Sequence, residues 1–248
     1  MSGVFGLFNL DGAPVEAGEM RSMGSLLARR GPDGAGVWSA GRIGLGHALL
    51  AATPEALLER LPLEDEASGC VITADVRLDN RAELLNALGL SDRARVTGDA
   101  GLILAAYLEW GTACVERFLG DFTFAIWDPR EQRLFCARDH FGMRPFYYHH
   151  TVKRFFAFAS EPRAILALTQ APYRLNEGRI AAFLVSELEG IDRTSTFFEE
   201  VYRLPPAHTL TVSPEGVRVQ RYWSLEPGAE LHLPSNEAYA AAFLAVFT

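Results

Sequence analysis

Three cysteines, a histidine pair and two short runs in which charged side chains flank glycine carry the most evident chemistry. Cys70, Cys114 and Cys136 are odd in number, far apart and set in apolar stretches, a pattern that predicts reduced core thiols and not a disulfide framework or a zinc site. His149-His150 could suggest a metal, but no cysteine or carboxylate stands at ligand spacing. Surface or packing histidines are therefore expected, and no metal. Arg30-Gly31-Pro32-Asp33-Gly34 and Arg138-Asp139-His140-Phe141-Gly142 put guanidinium and carboxylate groups at tight turns. Such pairs tie a loop to a strand end by charge-assisted hydrogen bonds.

The chain that must position these residues has 248 residues, 49% of them apolar, enough for one large domain or two small ones around a proper core. Its formal charge of -8 comes from acids spread along the sequence, so no basic stripe exists to neutralise a phosphate backbone, and nucleic-acid binding is excluded. Met1-Ser2-Gly3-Val4-Phe5-Gly6 lacks a basic leader region and no apolar run approaches membrane-spanning length, so the expected compartment is the cytoplasm, with no membrane partner.

Alternation at 3–9, closed by Asp11-Gly12, predicts a first strand. Met20, Met23, Leu26 and Leu27 predict a helix over 16–27, followed by short strands near 36–39 and 43–49. A β-type run over 70–74 precedes two helices, one capped by Asn80 and running to Leu88, the other capped by Asp99 and running to Trp110. Asp121 to Trp127 is the clearest strand. Its two faces are both bulky, Phe122, Phe124 and Ile126 against Thr123, Ala125 and Trp127, which predicts burial between layers. Strands near 134–138, 145–149 and 154–159 have the short spacing of an antiparallel meander. Helices at 162–168 and 177–186 and a hairpin of 208–212 with 217–223, turning at Pro214-Glu215-Gly216, complete an α+β reading. Residues 224–236 are polar and Pro-containing, and a helix begun at Glu237 is cut off in mid-pattern. This predicts a domain over 1–223, then a linker and the first helix of a second, absent domain over 224–248.

Four stretches together, Ser2-Gly3-Val4-Phe5-Gly6, Arg30-Gly31-Pro32-Asp33, Gly120-Asp121-Phe122-Thr123-Phe124-Ala125, and Arg138 to Pro145 followed by Ala159-Ser160-Glu161, resemble the class II glutamine amidotransferases of the asparagine synthetase group. The ending from Arg203-Leu204-Pro205-Pro206-Ala207 to Arg221-Tyr222-Trp223 resembles that group too. The resemblance implies a four-layer αββα sandwich of two antiparallel sheets, the N-terminal-nucleophile hydrolase fold, joined to an ATP-using synthetase domain. The synthetase signature Ser-Gly-Gly-x-Asp-Ser is absent from the sequence. No cofactor is therefore expected in this chain, and ATP and Mg are expected in the synthetase domain, fused or separate.

In the family, the residue exposed by removal of Met1 is a cysteine whose thiolate attacks the glutamine amide with its own α-amine as base. Here Ser2 holds that place. A serine nucleophile is chemically reasonable, since an α-amine of pKa near 8 can serve as base. The rest of the pocket argues against it. Where the family has an oxyanion-hole Asn-Gly pair and a Glu that holds the substrate amine, this sequence has Ala74-Asp75-Val76. One lost oxyanion donor alone costs about 10²-fold to 10³-fold in rate, and Asp75, if it points inward, adds repulsion. Leu49 stands where the family's arginine pairs with the glutamine carboxylate, a contact an alkyl group cannot imitate. Of the substrate-reading polar positions Asp99 alone keeps its type, and a helix N-cap explains it equally well.

The expectation is thus a glutaminase-inactive domain of an ATP-dependent amide-forming ligase. Family members without the cysteine include lasso-peptide cyclases and β-lactam synthetases, whose amine is already in the substrate, so a peptide or other amine-bearing substrate is the favoured partner. Two alternatives stand: glutamine-hydrolysing asparagine synthesis with Ser2 as a slow nucleophile, and a non-catalytic scaffold or peptide-binding partner of a separate synthetase.

Overall fold

The computed structural model describes residues 1–94, 96–185, 188, 191–228 and 230–247. In chain order its first half holds β1 (Gly3–Asn9), α1 (Ala17–Leu27), β2 (Gly34–Ala40), β3 (Ile43–Leu49), β4 (Leu63–Glu64), β5 (Val71–Leu78), α2 (Arg81–Ala87) and α3 (Asp99–Trp110). The second half holds β6 (Gly120–Asp128), β7 (Arg133–Arg138), β8 (Tyr147–Thr151), β9 (Phe155–Ala159), α4 (Pro162–Leu166), α5 (Glu177–Leu184), β10 (Val201–Arg203), β11 (His208–Ser213), β12 (Gly216–Arg221) and α6 (Asn236–Phe247).

The strands form two six-stranded sheets, ordered β10-β8-β9-β1-β3-β2 and β12-β11-β7-β6-β5-β4, with antiparallel pairing throughout. Period-two alternation gives each central strand two apolar faces. On β6, Phe122, Phe124 and Ile126 pack with the α3 residues Leu102, Ile103 and Tyr107. Ala125 and Trp127 turn the other way and meet Val4 and Phe8 of β1 between the sheets. On the far side of the first sheet, Phe5 and Leu7 pack against Met20, Met23 and Leu27 of α1 and Ile165 of α4. The layers are thus helix, sheet, sheet, helix, the expected αββα sandwich, and β6 is buried between layers as its bulky faces require. Cys70, Cys114 and Cys136 are free and buried.

Three expectations need correction. The strands near 134–138, 145–149 and 154–159 pair antiparallel as expected but do not form one meander: β8 pairs with β9, while β7 pairs with β6 and β11 in the other sheet. The reason is the Arg138–Arg144 segment, which carries the chain from one sheet to the other. Asn80 precedes α2 without capping it by its side chain; it instead donates to Arg117 O and accepts from Leu119 N. Asp99 is the first residue of α3, and Gly98 is its cap. The short strands β4 and β10 were not expected, and Ser186, the anticipated end of the helix at 177, lies outside the described residues, as does Thr248. Among the described residues no helix is long and apolar enough to cross a membrane.

Candidate active site

β1, β3 and β5 deliver the site to one end of the gap between the sheets. Val4 lies opposite His47 across the β1–β3 ladder, and Val4, Ile43 and Leu45 all face the inter-sheet core. Alternation therefore sends Ser2 from β1 and His47 and Leu49 from β3 toward the second sheet. On β5, Val71 belongs to that same core, and Thr73 reaches across it, its Oγ1 donating to Gly46 O at 3.0 Å. Asp75, two residues further, shares that face. Its carboxylate points inward.

The loop motifs hold this end shut. Gly31 lies so close to β3 that a Cβ there would sit 2.0 Å from the Ala48 carbonyl carbon; only glycine lets the loop pack so tightly. That placement brings Arg30 Nε within 3.1 Å of Ser2 O and Arg30 Nη1 within 3.3 Å of Glu161, while Asp33 accepts from Ala51 N at 2.8 Å. The second motif works the same way. Asp139 accepts from the backbone N–H groups of Phe141, Met143 and Arg144, and Arg138 donates to the carbonyls of Gly142, Arg144 and Leu204. The stapled loop aims Arg144 at the site. His149 is a packing histidine, buried between Glu200 O and Thr151 Oγ1 at 2.8 Å each.

Met1, Ser2, His47, Leu49, Ala74, Asp75, Val76, Asp99, Glu59 and Arg144 are among the residues lining one cavity of about 50 Å³. The six pocket positions that the family resemblance implied, Ser2, Leu49, Ala74, Asp75, Val76 and Asp99, are thus brought together. Ser2 is buried, and its hydroxyl is engaged by the backbone: Oγ accepts from Leu50 N at 3.0 Å and lies 3.4 Å from Leu50 O. Asp75 Oδ1 lies 3.5 Å from Arg144 Nη1, and Oδ2 is buried without a protein partner. Burial pushes the Asp75 carboxyl up from its ordinary range, against the pull of Arg144, the N-terminal charge, the Ser2 N–H and Arg30.

Burial lowers His47 to about 4 despite a hydrogen bond to the Ala74 backbone, so the ring is neutral at pH 7. Its Nε2 is also buried without a partner. Asp99 is not an N-cap: its carboxylate accepts from Leu78 N at 3.0 Å and pairs with Arg81, and burial raises it. Glu59, raised by burial too, accepts from Ala100 N at 3.2 Å and Gly101 N at 2.5 Å at the start of α3.

Electrostatically the cavity holds three carboxylates against one inward guanidinium. That is the reverse of what a substrate carboxylate needs. Sequence reasoning used His47 as a landmark and missed its role in the lining. It quoted Arg144 within a motif without assigning it to the pocket. Glu59 gave no signal, because its partners Ala100 and Gly101 are far along the chain.

The two antiparallel sheets between helical layers are similar to the N-terminal-nucleophile-type glutamine amidotransferase fold. A solved structure of glutamine phosphoribosylpyrophosphate (PRPP) amidotransferase from B. subtilis, complexed with ADP and GMP, superposes with a TM-score of 0.61 at 16% identity, over 89% of this chain and 49% of that one. Residues 1–223 match the family model for the glutamine amidotransferase domain, and the chain belongs to that family, in its class II form. Among relatives, asparagine synthetase [glutamine-hydrolyzing] 3 of Bacillus subtilis (strain 168) is 32% identical over 241 residues, which are 92% of this chain and 37% of the relative. Putative asparagine synthetase [glutamine-hydrolyzing] 2 of Methanocaldococcus jannaschii is 28% identical over 247 residues, 91% of this chain and 47% of the relative. The chain spans less than half the length of either relative.

Proposed function

We propose that this domain does not hydrolyse glutamine and serves an ATP-dependent, amide-forming ligase whose amine comes from the substrate itself. One observation carries the reading: Asp75 turns its carboxylate into the inter-sheet face beside Ser2, at the position where the family's oxyanion donors belong. An anion there opposes the negative charge that develops when an amide carbonyl is attacked. Leu49 offers nothing to a substrate carboxylate, and the Ser2 hydroxyl is already bonded to Leu50.

In this reading residues 1–223 dock on a synthetase domain, fused or separate, which binds ATP and Mg, and residues 224–248 are the linker and first helix leading to it. Its work lies in the cytoplasm, on a peptide or another amine-bearing carboxylate, as in the lasso-cyclase-like members of the group. The test is a glutaminase assay on the purified chain. Ammonia release at background supports the proposal. Turnover of about 1 per second or faster that disappears in Ser2→Ala overturns it.

A further inference from the structure

Of the described lining atoms buried without a protein partner, Arg144 Nε is a donor and two can accept: Asp75 Oδ2 and His47 Nε2. Their residues are 5% and 3% exposed, so neither atom is left for bulk water. The neutral His47 ring has one nitrogen free to accept, and the nitrogen without a partner is Nε2. Groups so desolvated call for a donor, and a buried carboxylate calls for a positive one.

We propose that this cavity takes one primary ammonium group, held between Asp75 and His47. The inference rests on the reading that glutamine no longer enters. Size allows it, because about 50 Å³ is ample for an ammonium group, which is about as large as a water. The walls agree too: Leu49, Leu61, Ala56, Ala74 and Val76 are apolar, so the site offers a few directional acceptors and not the six to eight oxygens, roughly, that hard metal cations collect. Arg144 comes closest to Asp75 at Oδ1, while Asp99 and Glu59 are occupied by Arg81 and the α3 backbone. The ammonium has two sources. It is either free ammonium from solution, or the chain's own α-amine once Met1 is removed, since the Ser2 nitrogen is already close enough to bear on the Asp75 carboxyl.

Two forms of the protein, with Met1 retained and with Ser2 first, each verified by intact mass, are melted in ammonium chloride and in equal sodium chloride. Free ammonium as ligand raises Tm of the Met1-bearing form by about 2–4 °C over sodium, the scale of a modest binding event in a domain of this size. The chain's own amine as ligand makes the Ser2-first form melt higher by a similar margin and leaves that form indifferent to ammonium. Either gain disappears in Asp75→Asn, which keeps the shape and removes the charge. A slowly exchanging bound resonance of ¹⁵N-ammonium, or of a ¹⁵N-labelled Ser2 α-amine, is the independent readout in the wild type. Equal melting in both salts for both forms, with no difference between the forms and neither resonance, overturns the proposal. Glutamine is assayed alongside. Its hydrolysis, or a rise in Tm with glutamine alone, defeats the proposed function instead, so the two failures fall in different arms.

Discussion

Arg144 approaches Asp75 at 3.5 Å between Nη1 and Oδ1, with 15% and 5% of the two side chains exposed. The guanidinium comes from the loop between the sheets and the carboxylate from the middle of β5. Each would be poorly placed alone: a buried carboxylate without a counter-ion, and an arginine whose Nε is already buried without a partner.

Removing one member of this pair leaves the other charge buried. Arg144→Met is expected to cost about 3 kcal/mol at pH 7, the low end for a broken buried pair. Asp75 is already raised by burial, and loss of Arg144 raises it further, so the penalty shrinks as the pH falls and the carboxyl takes up a proton. Urea midpoints at pH 7 and pH 5 check this, and Asp75→Asn in the same chain should return most of the loss. An Arg144→Met protein as stable as wild type at both pH values would show that the pair is energetically idle.

His47 sets an opposite pH dependence. Its folded value of about 4 lies below its ordinary 6.5, so the neutral ring favours the folded state above pH 6.5, and that advantage is lost as the pH falls through about 4. The span corresponds to about 3 kcal/mol. Asp75, Asp99 and Glu59 are raised and pull the other way, contributing at low pH and losing that contribution as the pH rises. The His47 part is therefore read as a difference: His47→Gln should lose less stability than wild type between pH 7 and pH 4.5. Parallel pH profiles for the two proteins would refute it.

The proposed function also bears on a better nucleophile. Ser2→Cys is expected to release no ammonia from glutamine above background, since that proposal puts Leu49 at the place of the clamp and Asp75 where a donor is needed. Groups that act as one catalytic unit are far from additive. Robust glutaminase activity in the single variant would show that Leu49 and Ala74-Asp75 do not hold the positions assigned to them.

Helix α6 should exchange its amides quickly in the isolated chain. Tyr239, Phe243 and Phe247 repeat along one side, none of its residues is buried, and Phe243 and Phe247 are 68% and 78% exposed. The helix is tied to the preceding segment through the Tyr239 hydroxyl, which donates to Leu231 O and accepts from Leu233 N. Twelve residues without docking are marginal in water. Hydrogen exchange at low protein concentration measures it; protection over 240–247 equal to that of Phe122 to Trp127 would place the helix in this domain's own core.

Much of this was legible in the sequence where pattern is local. Alternation located β1 at Gly3 to Asn9 to the residue and β6 to within one residue at each end, and glycine-flanked charges announced both stapled loops. The direction of Asp75 was not legible, because Ile72, Ala74 and Val76 on one face of β5 are as apolar as Val71 and Thr73 on the other are buried, and no contrast ranks the faces. The switch of sheets between β7 and β8 was hidden for a related reason: strand spacing fixes connection length, and a short connection can turn back or cross. Asp99 carried a local explanation, helix capping, that competed with its actual partners Leu78 and Arg81. β4 and β10, two and three residues long, have too little pattern to see.

The crossing of the chain between β7 and β8 has a mechanical consequence. Arg138 and Asp139 clasp that loop at the same end of the sandwich where Thr73 bonds Gly46 and Arg144 meets Asp75, so the two sheets are riveted together at the pocket. These ties resist sliding of one sheet over the other most directly at the pocket, so the positions of Ser2, His47 and Asp75 relative to one another are set by both sheets at once.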